Sequence, residues 1–220
     1  MRKIISLGKW SSATATIIAA AYGILQILFG LHLIPRPVNL YSLLIPSFLF
    51  APVFLIAMIC FDLITPAKSR KWTTIAWGLG TINCTIITMV YFSHLAHINP
   101  SLFNRESEDL RVPPLFEHHT AFEAVEYTVY FLISASTFIS AFAFRNLNSK
   151  RLYRSLLING ILLPILIFSW FYPRYYFLNF LWMVTFPLAT LRASQFFNME
   201  ERKLGKQEKR MGHSVEWVIH

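Results

Sequence analysis

The chain has 220 residues, of which 55% are hydrophobic and only 14% charged. Soluble domains run near about 45–50% apolar and about 25% charged, so this composition excludes an ordinary soluble globular protein, a disordered chain and a nucleic-acid binder with a polar surface. The formal charge of +9 therefore has to be explained by where the basic residues lie.

A bilayer core of about 30 Å takes roughly 20 apolar residues as helix. In chain order, such runs lie at about 12–34, 41–64, 73–97, 121–144, 155–172 and 176–197. None alternates with period two, so helices are expected rather than strands. The first run follows Arg2, Lys3 and Lys9 as a signal peptide would, but it is too long and leads into Pro35-Arg36-Pro37 rather than a small-residue cleavage site. It reads as a retained first span. In this span Ala15, Ala19 and Gly23 recur at four-residue spacing, a stripe suited to close helix contact. Gln26 in span one and Asn83 in span three are expected to hydrogen-bond between helices. Pro46 and Pro52 in span two, Pro164 in span five and Pro187 in span six are expected to bend their helices. Trp10, Trp72, Trp170, Trp182, Tyr172, Tyr175 and Tyr176 fall near span ends, where an aromatic belt is expected. Cys60 and Cys84 both fall inside spans and read as small apolar side chains. Asp62, near the end of span two, is close in sequence to Lys68 and Arg70 and is expected to pair with them.

Sixteen of the twenty Lys and Arg residues lie on one side of this arrangement: in the N-terminus, the 65–72 loop, the 145–154 loop, and the end of span six with its tail. Only Arg36, Arg105, Arg111 and Arg174 lie on the other. The positive-inside rule then puts both termini in the cytoplasm. The expected organisation is an all-α membrane protein, a bundle of six transmembrane helices over 1–197, followed by a basic cytoplasmic tail over 198–220 that is either a helical extension or disordered. The setting implied is a plasma membrane of bacterial inner-membrane type. Membrane lipids are the expected partners, nucleic acid is not, and the oligomeric state is left open.

Polar groups collect at the outer end of spans three and four. Span three ends Tyr91-Phe92-Ser93-His94-Leu95-Ala96-His97, and the loop that follows leads into Glu117-His118-His119-Thr120-Ala121-Phe122-Glu123-Ala124-Val125-Glu126-Tyr127. His119, Glu123, Glu126 and Tyr130 share one helical face by spacing. Ionisable groups at membrane depth raise a functional hypothesis. An outward-facing His/Glu/Tyr pocket between spans three and four is expected to bind or transform a small or lipidic ligand. Glu126, Glu123 and His94 are the candidate acid–base groups, and Tyr91, Tyr127, Tyr130 and Arg174 the candidate ligand contacts. His97, His118 and His119 are candidate ligands for a divalent metal. A wet outer loop that carries His and Glu without any role is the plainer alternative. A proton-coupled transporter and a non-catalytic membrane partner subunit are the other two readings, and sparse polar residues in the inner half count against the first of these.

The segment from Trp77 to Tyr127, through Tyr91-Phe92, Pro100-Ser101-Leu102 and Glu126-Tyr127, resembles uncharacterised bacterial six-span integral membrane proteins, a domain of unknown function. The resemblance implies a six-span topology and no activity. His94, His97, His118 and His119 depart from that pattern.

Overall fold

The computed structural model describes the chain apart from residues 32, 34–37, 104–120, 146–148, 173, 175–177, 179 and 217–220. Within its helices the side chains of 29, 30, 38–43, 93–103, 121–123, 126, 166, 170 and 209–216 are also left aside. Among the described residues every regular element is a helix: α1 (Arg2–Gly30), α2 (Val38–Ile64), α3 (Ala67–Phe103), α4 (Ala121–Phe144), α5 (Lys150–Ile161), α6 (Leu163–Phe171) and α7 (Phe180–Glu216). Among the described residues five stretches are long and apolar enough to cross a membrane: Arg2–Leu28, Leu44–Ile64, Ala67–Phe92, Tyr127–Phe144 and Lys150–Ser169. The sequence suggested six. The sixth run, in α7, is diluted by Thr185, Pro187, Thr190, Arg192 and Gln195. Large apolar side chains face outward along these helices, with Ile17 70% and Met89 65% exposed. Serine, threonine and asparagine sit inside. Apolar outside and small-polar inside is the pattern of an integral membrane protein, since soluble proteins seldom leave such patches uncovered.

The helices form a closed circle. From α1 to α5 each packs on the next in chain order, α5 packs on α7, and α7 packs back against α1, while α6 lies against α4 and α5. The closing pair is antiparallel. Arg2 pairs with Glu208 at 3.7 Å, Lys9 with Glu201 at 2.5 Å, and Thr16 Oγ1 donates to Thr190 Oγ1 at 2.9 Å. Small residues on α1 let α7 come close. Gly8 faces the ring of Phe197, where a Cβ would collide with it, and a Cβ on Gly23 would lie 3.3 Å from Met183 Cβ. Ala15 and Ala19, both buried, complete the stripe legible in the sequence.

The fifth run is two helices rather than one. Pro164 lies in the first turn of α6, where its missing N–H costs nothing. The break falls at Leu162, whose N–H reaches Asn159 O at 3.3 Å. Pro46, Pro52 and Pro187 stay inside their helices. The polar segment after 197 is helical through Glu216 as part of α7, so of the two expectations for the tail, the extension holds over that range.

Asp62 ties α2 to the start of α3. It accepts from Thr73 Oγ1 at 2.9 Å, Thr74 Oγ1 at 2.8 Å and Arg70 Nε at 3.3 Å, the local pairing expected of it. Cys60 and Cys84 are free thiols, the first buried and the second half-buried. Close to the same end, Phe61 of α2, Phe144 of α4 and Phe196 and Phe197 of α7 fill the axis of the bundle. Phe61 stacks on Phe197 at 4.7 Å and meets Phe144 edge-on at 4.9 Å.

Lys9 and Glu201 are each about a quarter exposed (24%), and Ser194 Oγ donates to Lys9 O at 3.2 Å. Partial shielding puts such a pair near the upper end of the surface range, about 1 kcal/mol. Glu201→Gln is expected to lower the melting temperature slightly, and Lys9→Glu with Glu201→Lys to recover most of it. A double-mutant cycle in low salt measures the coupling, and a coupling of zero would show that the pair does not help close the circle.

Candidate functional site

The cleft lies away from the phenylalanine plug, bounded by α1, α2, α3, α4 and α7. Its cavity volume is about 30 Å³, room for a water or two, so a larger occupant would need its walls to part. Ile18, Phe50, Ile87, Val129 and Ile133 make its apolar walls, while Tyr22, Ser47, Tyr91, Tyr130 and Trp182 bring polar groups to it. No charged residue lines it among the described residues.

Its upper wall is an ordered relay. Gln26 Nε2 donates to Tyr22 Oη at 2.7 Å, and Tyr22 Oη lies 3.0 Å from Tyr130 Oη. Gln26 and Tyr22 are one turn apart on α1, so the expected interhelical role of Gln26 is carried out through Tyr22. Tyr130 meets the indole of Trp182 edge-on at 4.8 Å, and Trp182 lies flat on Phe186 at 4.5 Å and 9°. Phe186 contacts Phe50 at 5.0 Å and Phe54 at 5.6 Å. Five aromatic side chains therefore form a continuous cluster, in the offset and edge-on arrangements such rings favour, and Tyr130, Trp182 and Phe50 of it line the cleft.

Trp182 corrects an expectation. It was expected in the interfacial belt but is only 6% exposed. Trp182 lies on the inner face of α7, its indole against Tyr130 of α4, while Phe180, Leu181 and Val184 beside it face outward. Trp10, 65% exposed, does stand outside.

Asn83 corrects another. It is fully buried in α3, yet both its amide atoms lack a hydrogen-bond partner, as do Ser134 Oγ and Trp182 Nε1. The interhelical bond expected of Asn83 is made instead by Asn159 of α5. Its Nδ2 donates to Thr137 Oγ1 at 2.9 Å, and its Oδ1 accepts from Thr185 Oγ1 at 3.1 Å, which joins α4, α5 and α7. A buried amide without partners costs about 1–3 kcal/mol per polar group, so Asn83 is an expensive residue to keep as packing.

Of the ligand contacts read from the sequence, Tyr91 and Tyr130 come together in this cleft. Tyr127 is half-buried outside its lining, and Arg174 is exposed. The side chains of Glu126, Glu123, His94 and His97, and the whole of His118 and His119, lie outside the described residues. By register Glu126 precedes Tyr130 by one turn on α4, and His94 follows Tyr91 by one turn on α3. Among the described residues no three His, Cys, Asp or Glu side chains gather as metal ligands. Tyr22, Ser47 and Trp182 were not singled out as site residues. The signal for Tyr22 was present, since Tyr22 and Gln26 are a polar pair at helical spacing within an apolar run.

No family model matches the chain, and neither does any curated protein or solved structure.

Proposed function

We propose that the chain is a six-span integral membrane protein that binds or transforms a small or lipidic ligand in an outward-facing cleft. In this reading the apolar part of α7 is the sixth span and both termini are cytoplasmic. Support for the orientation comes from the basic residues. Lys9 with Glu201, and Arg70 with Asp62, lie at the end where sixteen Lys and Arg gather, and positive charge marks the cytoplasmic side. Along α1 and α7 the cleft residues Tyr22 and Trp182 lie about three turns or more from Lys9 and Glu201, so the cleft faces the other leaflet.

The observation that carries the functional reading is the cleft itself, an apolar pocket with a few convergent polar groups, which is the usual build of a small-molecule site. The phenylalanine plug fills the axis on the cytoplasmic side, which favours binding over passage. Glu126, Glu123 and His94 are the proposed acid–base groups, and Tyr91 and Tyr130 would orient the ligand. The experiment is lipid mass spectrometry on protein purified from membranes. The wild type is expected to carry a co-purifying lipid. Glu126→Gln is expected to reduce its occupancy at least about tenfold, a loss of about 1.4 kcal/mol, with the folded yield unchanged. Unchanged occupancy would remove Glu126 from the site.

A further inference from the structure

The two sides of the basic end differ in how their charge is balanced. On the α1–α7 side, Arg2, Lys9 and Lys203 pair with Glu208, Glu201 and Glu200. On the side formed by α2 to α5 the one carboxylate among the described residues is Asp62, and Arg70 and two threonines already occupy it. No Asp or Glu occurs between 63 and 105 or between 127 and 199. Lys68 and Lys71 of α3, Arg145 just after α4, and Lys150, Arg151 and Arg154 of α5 are all exposed. None of these six makes an ion pair among the described residues. Trp72 against Phe142 at 5.3 Å sets the start of α3 beside the end of α4, and α5 packs on α4. The six cations therefore share one end of three adjacent helices, where they repel one another without a counter-charge. Orientation needs basic residues on this side, but the α1–α7 side meets that need while offsetting part of its charge with carboxylates.

On α5 the charge runs directly into an apolar track. Lys150, Arg151, Arg154, Ile158 and Ile161 fall within one helical face, and all five are exposed. Arg151 and Arg154 are neighbours on the helix surface, and each guanidinium can form two parallel hydrogen bonds to phosphate oxygens. Ile158 lies one turn past Arg154 in the apolar direction of the stretch Lys150–Ser169.

We infer that the outward face of α5, with the neighbouring cations of α3 and α4, binds an anionic phospholipid. Its phosphate lies between Arg151 and Arg154, and one acyl chain runs along Ile158 and Ile161. A zwitterionic lipid brings its own cation to the same place and gains less. A free phosphate would use the guanidiniums and leave the isoleucines unused. The inference rests on the membrane placement of α3, α4 and α5, and is independent of the cleft.

Native mass spectrometry of the full-length protein, released from micelles holding equal dioleoylphosphatidylglycerol and dioleoylphosphatidylcholine, counts the lipids retained. The anionic lipid is expected to be retained about tenfold more. Arg151→Gln with Arg154→Gln is expected to erase that preference at unchanged melting temperature, since both side chains are exposed. Arg145→Gln with Lys71→Gln is expected to weaken it, and serves as the reading should the α5 variant lose folded yield. Lys3→Gln with Arg202→Gln removes the same charge on the α1–α7 side and is expected to keep the preference. Glycerophosphoglycerol, the same head without chains, is expected to compete only at a concentration at least about a hundredfold higher than the lipid. Equal retention of the two lipids, a preference that survives the α5 variant, one that the α1–α7 variant removes equally, or equal competition by the chain-free head would each overturn the inference. None of these results bears on the cleft, whose occupancy Glu126→Gln reports separately.

Discussion

Gly160→Ala is expected to destabilise the protein strongly. Gly160 of α5 sits against α4 so closely that a Cβ would collide with Phe138 Cβ and lie 2.7 Å from its Cα. The obstacle includes backbone, which cannot rotate away as a side-chain tip can. The next residue back is Asn159, whose bonds to Thr137 and Thr185 require α5 to stay at this distance. Overpacking of this kind costs about 1–3 kcal/mol, and loss of the Asn159 contacts would add to it. The check is thermal unfolding in detergent, with Gly78→Ala as the control. Nothing lies within 4 Å of where the Gly78 Cβ would be, so there the helix-propensity gain of up to about 1 kcal/mol is the main expected effect. Equal behaviour of the two variants would contradict the close approach of α5 to α4.

Phe61→Ala is expected to have the largest effect on stability. Phe61 is 1% exposed and touches Phe144, Phe196 and Phe197. Truncating a buried phenylalanine costs about 3–5 kcal/mol, part of it for the cavity left behind. Phe197 has little freedom to move into the gap, because its ring lies against Gly8 and fixes the distance between α1 and α7. Phe61→Leu should recover more than half of the loss. A melting temperature within about two degrees of wild type for Phe61→Ala would show that the plug does not hold the helices together. The same variant leaves the cleft residues in place, so ligand occupancy per folded molecule should persist, which separates stability from binding.

The helices were legible because length and apolarity are properties of single runs. α2 and α4 begin and end within a few residues of the apolar stretches. α3 runs past the expected end to Phe103, because polar residues such as Asn99 and Ser101 stop an apolar count without stopping a helix. The break at Leu162 was foreshadowed by Pro164. Pairings were less visible. The Ala15-Ala19-Gly23 stripe announced a close neighbour on α1 but not that the neighbour is α7, since small residues fit any partner helix. Trp182 and Asn83 were both misjudged for one reason: position along a span gives depth, not the direction a side chain takes around the helix. The tyrosines of the cleft illustrate the same limit. Tyr91 and Tyr130 stood out as part of a polar concentration, whereas Tyr22, far away in the chain, joins them only because α1 lies beside α7 and the circle is closed.

That closure bears on how the molecule is made. α1 emerges from the ribosome first and α7 last, yet each is the other's extensive partner. Until α7 has been synthesised, the small-residue face of α1, with Gly8, Ser12 and Thr16, has no counterpart, and a half-finished product is an open arc. Chaperones or insertion machinery able to shield that face have a defined target during this interval. Chains released before Phe197 has emerged should be recognised as incomplete and degraded, however well their earlier helices are formed.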